Sequence, residues 1–165
     1  MYREVFRLNI GEYCRNPGFL IRRCNQILLA LFLEQAEPYN VTVQQLATLQ
    51  AVGEFPGFDQ GRIAETIGVD RSTIGPIVGR LVERRLLKAS PGKTDRRTKV
   101  LTITPAGRAI VAQLLTKLAP VRTRFLSPLT PAERVLFIDM LERLTVAHND
   151  VSRAPQRVAA NDAVA

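Results

Sequence analysis

The chain has 165 residues, enough to bury one sizeable core and too few for two independent ones. Hydrophobic residues make up 46% of it and aromatic residues only 6%, with no Trp, which predicts an aliphatic and mainly helical core. Lys and Arg number 23 against 15 Asp and Glu, and this formal charge of +8 favours a polyanionic partner.

Residues 1–16 lack clean periodicity and read as an N-terminal arm, in which Arg3, Glu4 and Arg7 interrupt any secretory leader. Asn16-Pro17-Gly18 punctuates the chain. A helical pattern follows from Phe19 to about Gln35, and Pro38 ends it. Its apolar run, "ILLALFL" at 27–33, is far shorter than the ~20 residues a membrane span needs, so the expectation is a cytoplasmic protein with no membrane partner. "TVQQ" at 42–45 is a capping box, with Thr42 as N-cap and Gln45 reaching back, opening a helix to about Gly53. "FPGFD" at 55–59 is a turn, and a short helix covers Gln60 to Ile67, stopped by a left-handed Gly68.

Asp70 or Ser72 caps the next helix, which runs to about Arg85. Ile74, Ile77, Val78 and Leu81 fall on one face of it, the stripe of a buried side. Ser72, Pro76 and Gly79 occupy the opposite face, flanked by Thr73 and Arg80. Each glycine costs a helix about 1 kcal/mol relative to Ala, and Pro76 costs more, so stability alone does not select this face. Small exposed residues let a helix backbone sink into a major groove, where Ser and Thr bond base edges and Pro76 meets a thymine methyl. Arg71 and Arg80 are placed for phosphates or guanine edges. The competing reading is a tight helix–helix contact. A preceding short helix and Gly68 turn favour a helix-turn-helix.

Two β-prone runs follow, around 86–89 and 99–104, with "SPGKTDRRTK" between them. A hairpin beside a recognition helix projects as a wing, and Lys93, Arg96, Arg97 and Lys99 crowd its tip with only Asp95 for balance. Arginine suits the narrow, strongly negative minor groove, and Asp95 is placed to orient Arg97 by a charge-assisted bond. The competing reading is a solvated loop whose charges prevent edge pairing. "TPAG" at 104–107 puts Pro105 first in a long helix lasting to about Phe125. "TPAE" at 130–133 joins Pro at the first helical position to a second capping box, Thr130 with Glu133, in a helix to about Val151. The tail from 152 to 165 has too few large apolar groups to pack and reads as flexible.

These elements predict a mainly α fold with a small β-hairpin wing: one unit over 17–151, with a winged helix-turn-helix at 42–104. The flanking helices, 17–37 and 105–151, are expected to serve dimerisation. Apolar stripes at Ile27, Leu28, Leu31 and Phe32, and at Leu136, Phe137, Met140, Leu141 and Leu144, are hard to bury within one chain. A dimer also presents two recognition helices one DNA turn apart, roughly 34 Å.

At these residues the chain resembles the MarR family of bacterial winged-helix regulators. The resemblance is carried by "IAETIGVDRSTIGPIVGRLVERRLL" at 63–87, "DRR" at 95–97, "LTITPAGR" at 101–108 and "LTPAERVLFIDMLERLTVAHNDVSRAP" at 129–155. It implies a homodimer on a pseudo-palindromic operator, often a repressor, often releasing double-stranded DNA when a small ligand binds. By position, Arg97 resembles the family's minor-groove arginine and Asp95 its partner, while Ser72, Thr73, Pro76 and Arg80 lie on its recognition helix. Pro76 departs from the polar residue often found there. The resemblance places the effector cleft between the dimerisation helices and the DNA-binding lobe, with aromatic acids or their thioesters as ligands. Arg22 and Arg23, near Phe19, Leu20 and Ile27, offer a cation for a carboxylate; the alternative is that they point to solvent.

Some relatives sense peroxide through a cysteine near the first helix. Cys14, beside Arg15, and Cys24 are candidates for such a redox-sensing repressor, or are small buried hydrophobes. The two make no disulfide framework or CxxC pair. With His148 the one histidine, no metal cluster, cofactor site or catalytic triad assembles, and a helix-end surface role fits it better. The remaining alternative is a non-specific, architectural nucleic-acid-binding module, which predicts steep salt dependence without sequence preference.

Overall fold

The computed structural model describes residues 9–92 and 98–157. Over these the order is α1 (Ile10–Arg15), α2 (Pro17–Ala36), a 3₁₀ turn at Glu37–Tyr39, α3 (Val43–Glu54), α4 (Gln60–Ile67), α5 (Arg71–Glu83), β1 (Leu87–Pro91), β2 (Lys99–Ile103), α6 (Pro105–Phe125) and α7 (Pro131–Ala147). A final 3₁₀ turn covers Asn149–Val151.

The caps are where side-chain chemistry puts them. Both capping boxes form, Thr42 with Gln45 and Thr130 with Glu133, each satisfying two N–H or hydroxyl donors that an open helix end leaves unpaired. Gly68 takes φ +64, and the Val69 N–H reaches back to the Ala64 carbonyl at 2.9 Å, closing α4. The end of α5 uses the same motif without glycine: Arg85 adopts φ +57 while Leu86 N–H bonds the Leu81 carbonyl at 2.9 Å. Leu81 and Leu86 are both buried, and that apolar contact holds Arg85 in a conformation it disfavours.

Two differences from the sequence reading lie at the N-terminus. Residues 10–15, expected to be an arm without periodicity, form α1, whose N–H groups are capped by Asn9. Being short and buried nowhere, it shows no apolar stripe for periodicity to detect. Asn16-Pro17 begins α2 rather than interrupting the chain: the Asn16 side chain accepts from Gly18 N–H and Pro17 takes the first helical position.

One core lies inside the helix-turn-helix and hairpin, where Leu49, Ile63, Ile74, Leu81, Leu87 and Leu101 are almost fully buried. A second, smaller core joins Phe32 of α2, Leu46 of α3 and Leu114 of α6. Ile110 and Val111 on α6 touch both, so α6 is the beam linking the outer helices to the wing. The hairpin is antiparallel with Leu87 opposite Ile103 and Pro91 opposite Lys99, and an isolated bridge from Asp59 to Val100 extends it towards α4. Arg84 donates to the backbone carbonyls of Asn40 and Tyr39, tying the end of α5 to the bend between α2 and α3.

No residue of α7 is buried, and Val135, Leu136, Met140 and Leu144 are exposed. On α2 only Leu31, Phe32 and Ala36 are buried, leaving Ile27, Leu28 and Leu33 open. No helix among the described residues is long and apolar enough to cross a membrane.

Candidate nucleic-acid interface

Asp70 organises the start of α5. Its carboxylate accepts the N–H groups of Ser72 and Thr73, at 3.0 and 2.9 Å, and both of their hydroxyls. Those bonds, led by the Ser72 and Thr73 hydroxyls, lower its pKa to about 2, so the cap stays ionised through the neutral range. The consequence for recognition is specific. The protons of Ser72 and Thr73 are committed to Asp70, so outward each hydroxyl offers lone pairs only.

The two faces of α5 separate as its sequence pattern predicts. Ile74, Ile77, Val78 and Leu81 are buried, whereas Arg71, Ser72, Pro76, Gly79 and Arg80 are exposed and Thr73 is half-buried. A Cβ added to Gly79 meets nothing within 4 Å, and one added to Gly75 meets only the Gln60 amide at 3.7 Å. Neither glycine is needed for close packing among the described residues. Pro76 carries no N–H to give the Ser72 carbonyl, which adds a further acceptor on the exposed side. Arg71 stands 3.9 Å from Glu65 and is nearly all in solvent, a pairing worth little.

Beside α5 the hairpin closes with Gly92 N–H donating to the Thr98 carbonyl at 2.9 Å. Lys99 is exposed opposite Pro91, next to that closure. The expected wing contacts, Lys93, Asp95, Arg96 and Arg97, lie outside the described residues. α6 is anchored against the hairpin by Thr104, whose hydroxyl donates to the Arg85 carbonyl at 2.8 Å and accepts Gly107 N–H at 3.1 Å.

The expected ligand residues form a separate corner. The Arg22 guanidinium sits 5.0 Å from the Phe19 ring centroid, Tyr13 packs edge-on to Phe19, and Arg23 donates to Gln26. A large cleft lies elsewhere, between α2, α6, α7 and the start of α3, with a volume of about 830 Å³. Leu28, Phe32, Phe125 and Phe137 line it, with Gln44 and, as the one cation among the described residues, Arg122. Sequence reasoning missed Arg122 because its helix position is ordinary and only the convergence of four segments makes it a cleft residue. Cys14 on α1 and Cys24 on α2 are free and half-buried, and His148 caps the end of α7.

A short helix, a left-handed turn, a bare-faced helix over a buried stripe and an adjoining hairpin define a winged helix-turn-helix protein, the architecture of a DNA-binding regulator. Comparison with known proteins narrows this. A MarR family model matches residues 39–98. A candidate transcriptional regulatory protein for the hcr operon of Thauera aromatica is 34% identical over 145 residues, 86% of each chain. The HTH-type transcriptional repressor NicR of Pseudomonas putida is 29% identical over 127 residues, 77% of this chain and 80% of NicR. Among solved structures, Bordetella bronchiseptica BpsR, whose DNA binding is regulated by 6-hydroxynicotinic acid, matches with TM-score 0.77 and 27% identity, over 81% of this chain and 95% of BpsR. The chain belongs to the MarR family of DNA-binding transcriptional regulators.

Proposed function

We propose that the protein is a dimeric repressor that places α5 in the major groove and the hairpin tip in the adjacent minor groove of a pseudo-palindromic operator, and that an aromatic or heteroaromatic acid, or its thioester, releases it. The observation that carries the DNA reading is the outward face of α5: a bare Gly79, an acceptor-rich Ser72–Pro76 edge and flanking Arg71 and Arg80, all facing solvent. Because Asp70 holds the Ser72 and Thr73 protons, these side chains read base donors, the exocyclic amines of adenine or cytosine. Lys93, Arg96 and Arg97, oriented by Asp95, supply the wing contacts. NicR, a repressor similar over most of its length, supports the direction of regulation.

The effector enters the α2–α6–α7 cleft. Its size suits a small ring compound, its walls are apolar, and Arg122 is the cation for a carboxylate. The cleft joins the outer helices to the start of α3, so a ligand there acts on the angle between the outer helices and the reading unit. It must favour the spacing that does not fit DNA, since equal affinity for both states shifts nothing. The Arg22–Phe19 corner is the rival position, supported by its cation–π contact.

A thermal-shift screen of 6-hydroxynicotinic acid and other small aromatic acids, repeated on the DNA complex, tests this. An acid should raise the melting temperature and dissociate the complex, and Arg122→Ala should weaken it about tenfold or more while Arg22→Ala does not. The reverse ranking moves the site to the Phe19 corner. A set of acids that neither binds nor dissociates the complex removes the effector class.

A further inference from the structure

The segment after α7, expected to lack the apolar groups needed to pack, is held by polar contacts instead. Asn149 and Gln156 clasp each other: the Asn149 amide donates to the Gln156 carbonyl, and Gln156 N–H donates to Asn149 Oδ1, both at 2.9 Å. The loop so closed is pinned to α4. Gln156 Nε2 donates to the Thr66 carbonyl at 2.9 Å, and Arg157 N–H donates to the Glu65 carbonyl at 2.9 Å. These carbonyls belong to the last turn of α4, where Glu65 otherwise receives only a long 3.4 Å bond from Gly68 N–H, so the segment helps cap the first helix of the helix-turn-helix.

Its docking brings Arg153 and Arg157 to a shallow pocket of about 250 Å³ shared with Arg71, Glu65 and Asp70. Both arginines are exposed, and among the described residues neither guanidinium forms a hydrogen bond or ion pair. Asp70 is occupied by the four bonds at the start of α5, and Glu65 faces Arg71 only at 3.9 Å. Three arginines therefore line a pocket that holds two carboxylates, Glu65 and an Asp70 whose oxygens are turned into the start of α5, and the balance of charge there is positive.

We propose that Arg153 and Arg157, with Arg71, bind phosphates of the DNA backbone beside the groove that α5 enters. This rests on α5 being the reading helix. In a helix-turn-helix the first helix crosses the DNA backbone while the N-terminal residues of the second approach the bases. A segment bonded to the end of the first helix rides over that strand, and a guanidinium matches phosphate oxygens in geometry and charge. Such contacts add affinity and orientation without reading sequence.

The test compares the full-length wild type with Arg153→Ala/Arg157→Ala, Arg153→Lys/Arg157→Lys and Gln156→Ala. The probes are the duplex that the wild type selects from a random library and its scrambled counterpart, titrated across salt concentrations. The double alanine variant should lose about tenfold in affinity for both duplexes, keep their ratio, and flatten the log–log salt slope by roughly 2. The double lysine variant should keep the slope, and Gln156→Ala, which removes one of the two bonds that pin the segment to α4, should behave as a milder double alanine. Unchanged affinity and slope in the double alanine variant overturns the proposal. So does a loss confined to the selected duplex with an unchanged slope. A wild type without preference between the duplexes overturns base reading by α5 instead, and the salt slopes still decide the phosphate contacts.

Discussion

Gly79 is a poor residue for the middle of a helix, and nothing among the described residues asks for it. An alanine there removes backbone freedom from the unfolded state and fits the folded one, so Gly79→Ala should raise stability by about 1 kcal/mol. The same methyl would stand between the α5 backbone and the floor of a groove. The variant should therefore melt higher in calorimetry yet bind its selected duplex more weakly. Retained affinity would show that this face does not approach DNA. The glycine and proline on this face were legible as an anomaly, because their cost to a helix is a property of residue type. The commitment of the Ser72 and Thr73 protons to Asp70 was not legible, because it depends on which rotamers the capped turn allows.

The elements were readable wherever a local rule governs them. Capping boxes, Pro at the first helical position and the left-handed Gly68 need only a few neighbouring residues, and the ends of α3, α4 and α6 fall where those signals put them. The packing between elements is a different matter, and Gly107 illustrates it. In "TPAG" it reads as an ordinary first-turn residue, yet a Cβ there would collide with the Leu86 carbonyl oxygen and come 2.9 Å from Ile103 Cγ1. Both obstacles flank the buried Thr104 anchor, so α6 cannot move away without breaking it. Gly107→Ala should cost about 2 kcal/mol or more in denaturant unfolding, opposite in sign to Gly79→Ala. A loss below about 0.5 kcal/mol would mean that the α6–hairpin junction yields, contrary to the rigidity expected of a packed core.

At the scale of the whole molecule, the outer helices are unfinished. α7 buries none of its residues, and α2 leaves one side of its apolar run in solvent, a contiguous exposure that marks an interface rather than a monomer surface. In the proposed dimer a second copy would cover both helices and supply the second α5 for a pseudo-palindromic operator. The double variant Leu136→Glu/Leu144→Glu should be monomeric by light scattering and lose about a hundredfold or more in selective DNA affinity. Its helix-turn-helix should still fold, because that core is built from residues 49–103. A wild type that is already monomeric at micromolar concentration would end the dimer proposal. The sequence by itself determined the order of elements from α2 onward, the two capping boxes, the buried stripe of α5 and the excess of positive charge, since each follows from residue type and short-range spacing. Only the tertiary structure decided that Arg122 serves the cleft, that Arg22 and Arg23 stand apart from it, and that Arg153 and Arg157 join Arg71 beside α5. Those convergences bring together residues as far as 116 positions apart, from Asn25 to Leu141 in the cleft, and no local pattern encodes a distance that only folding sets.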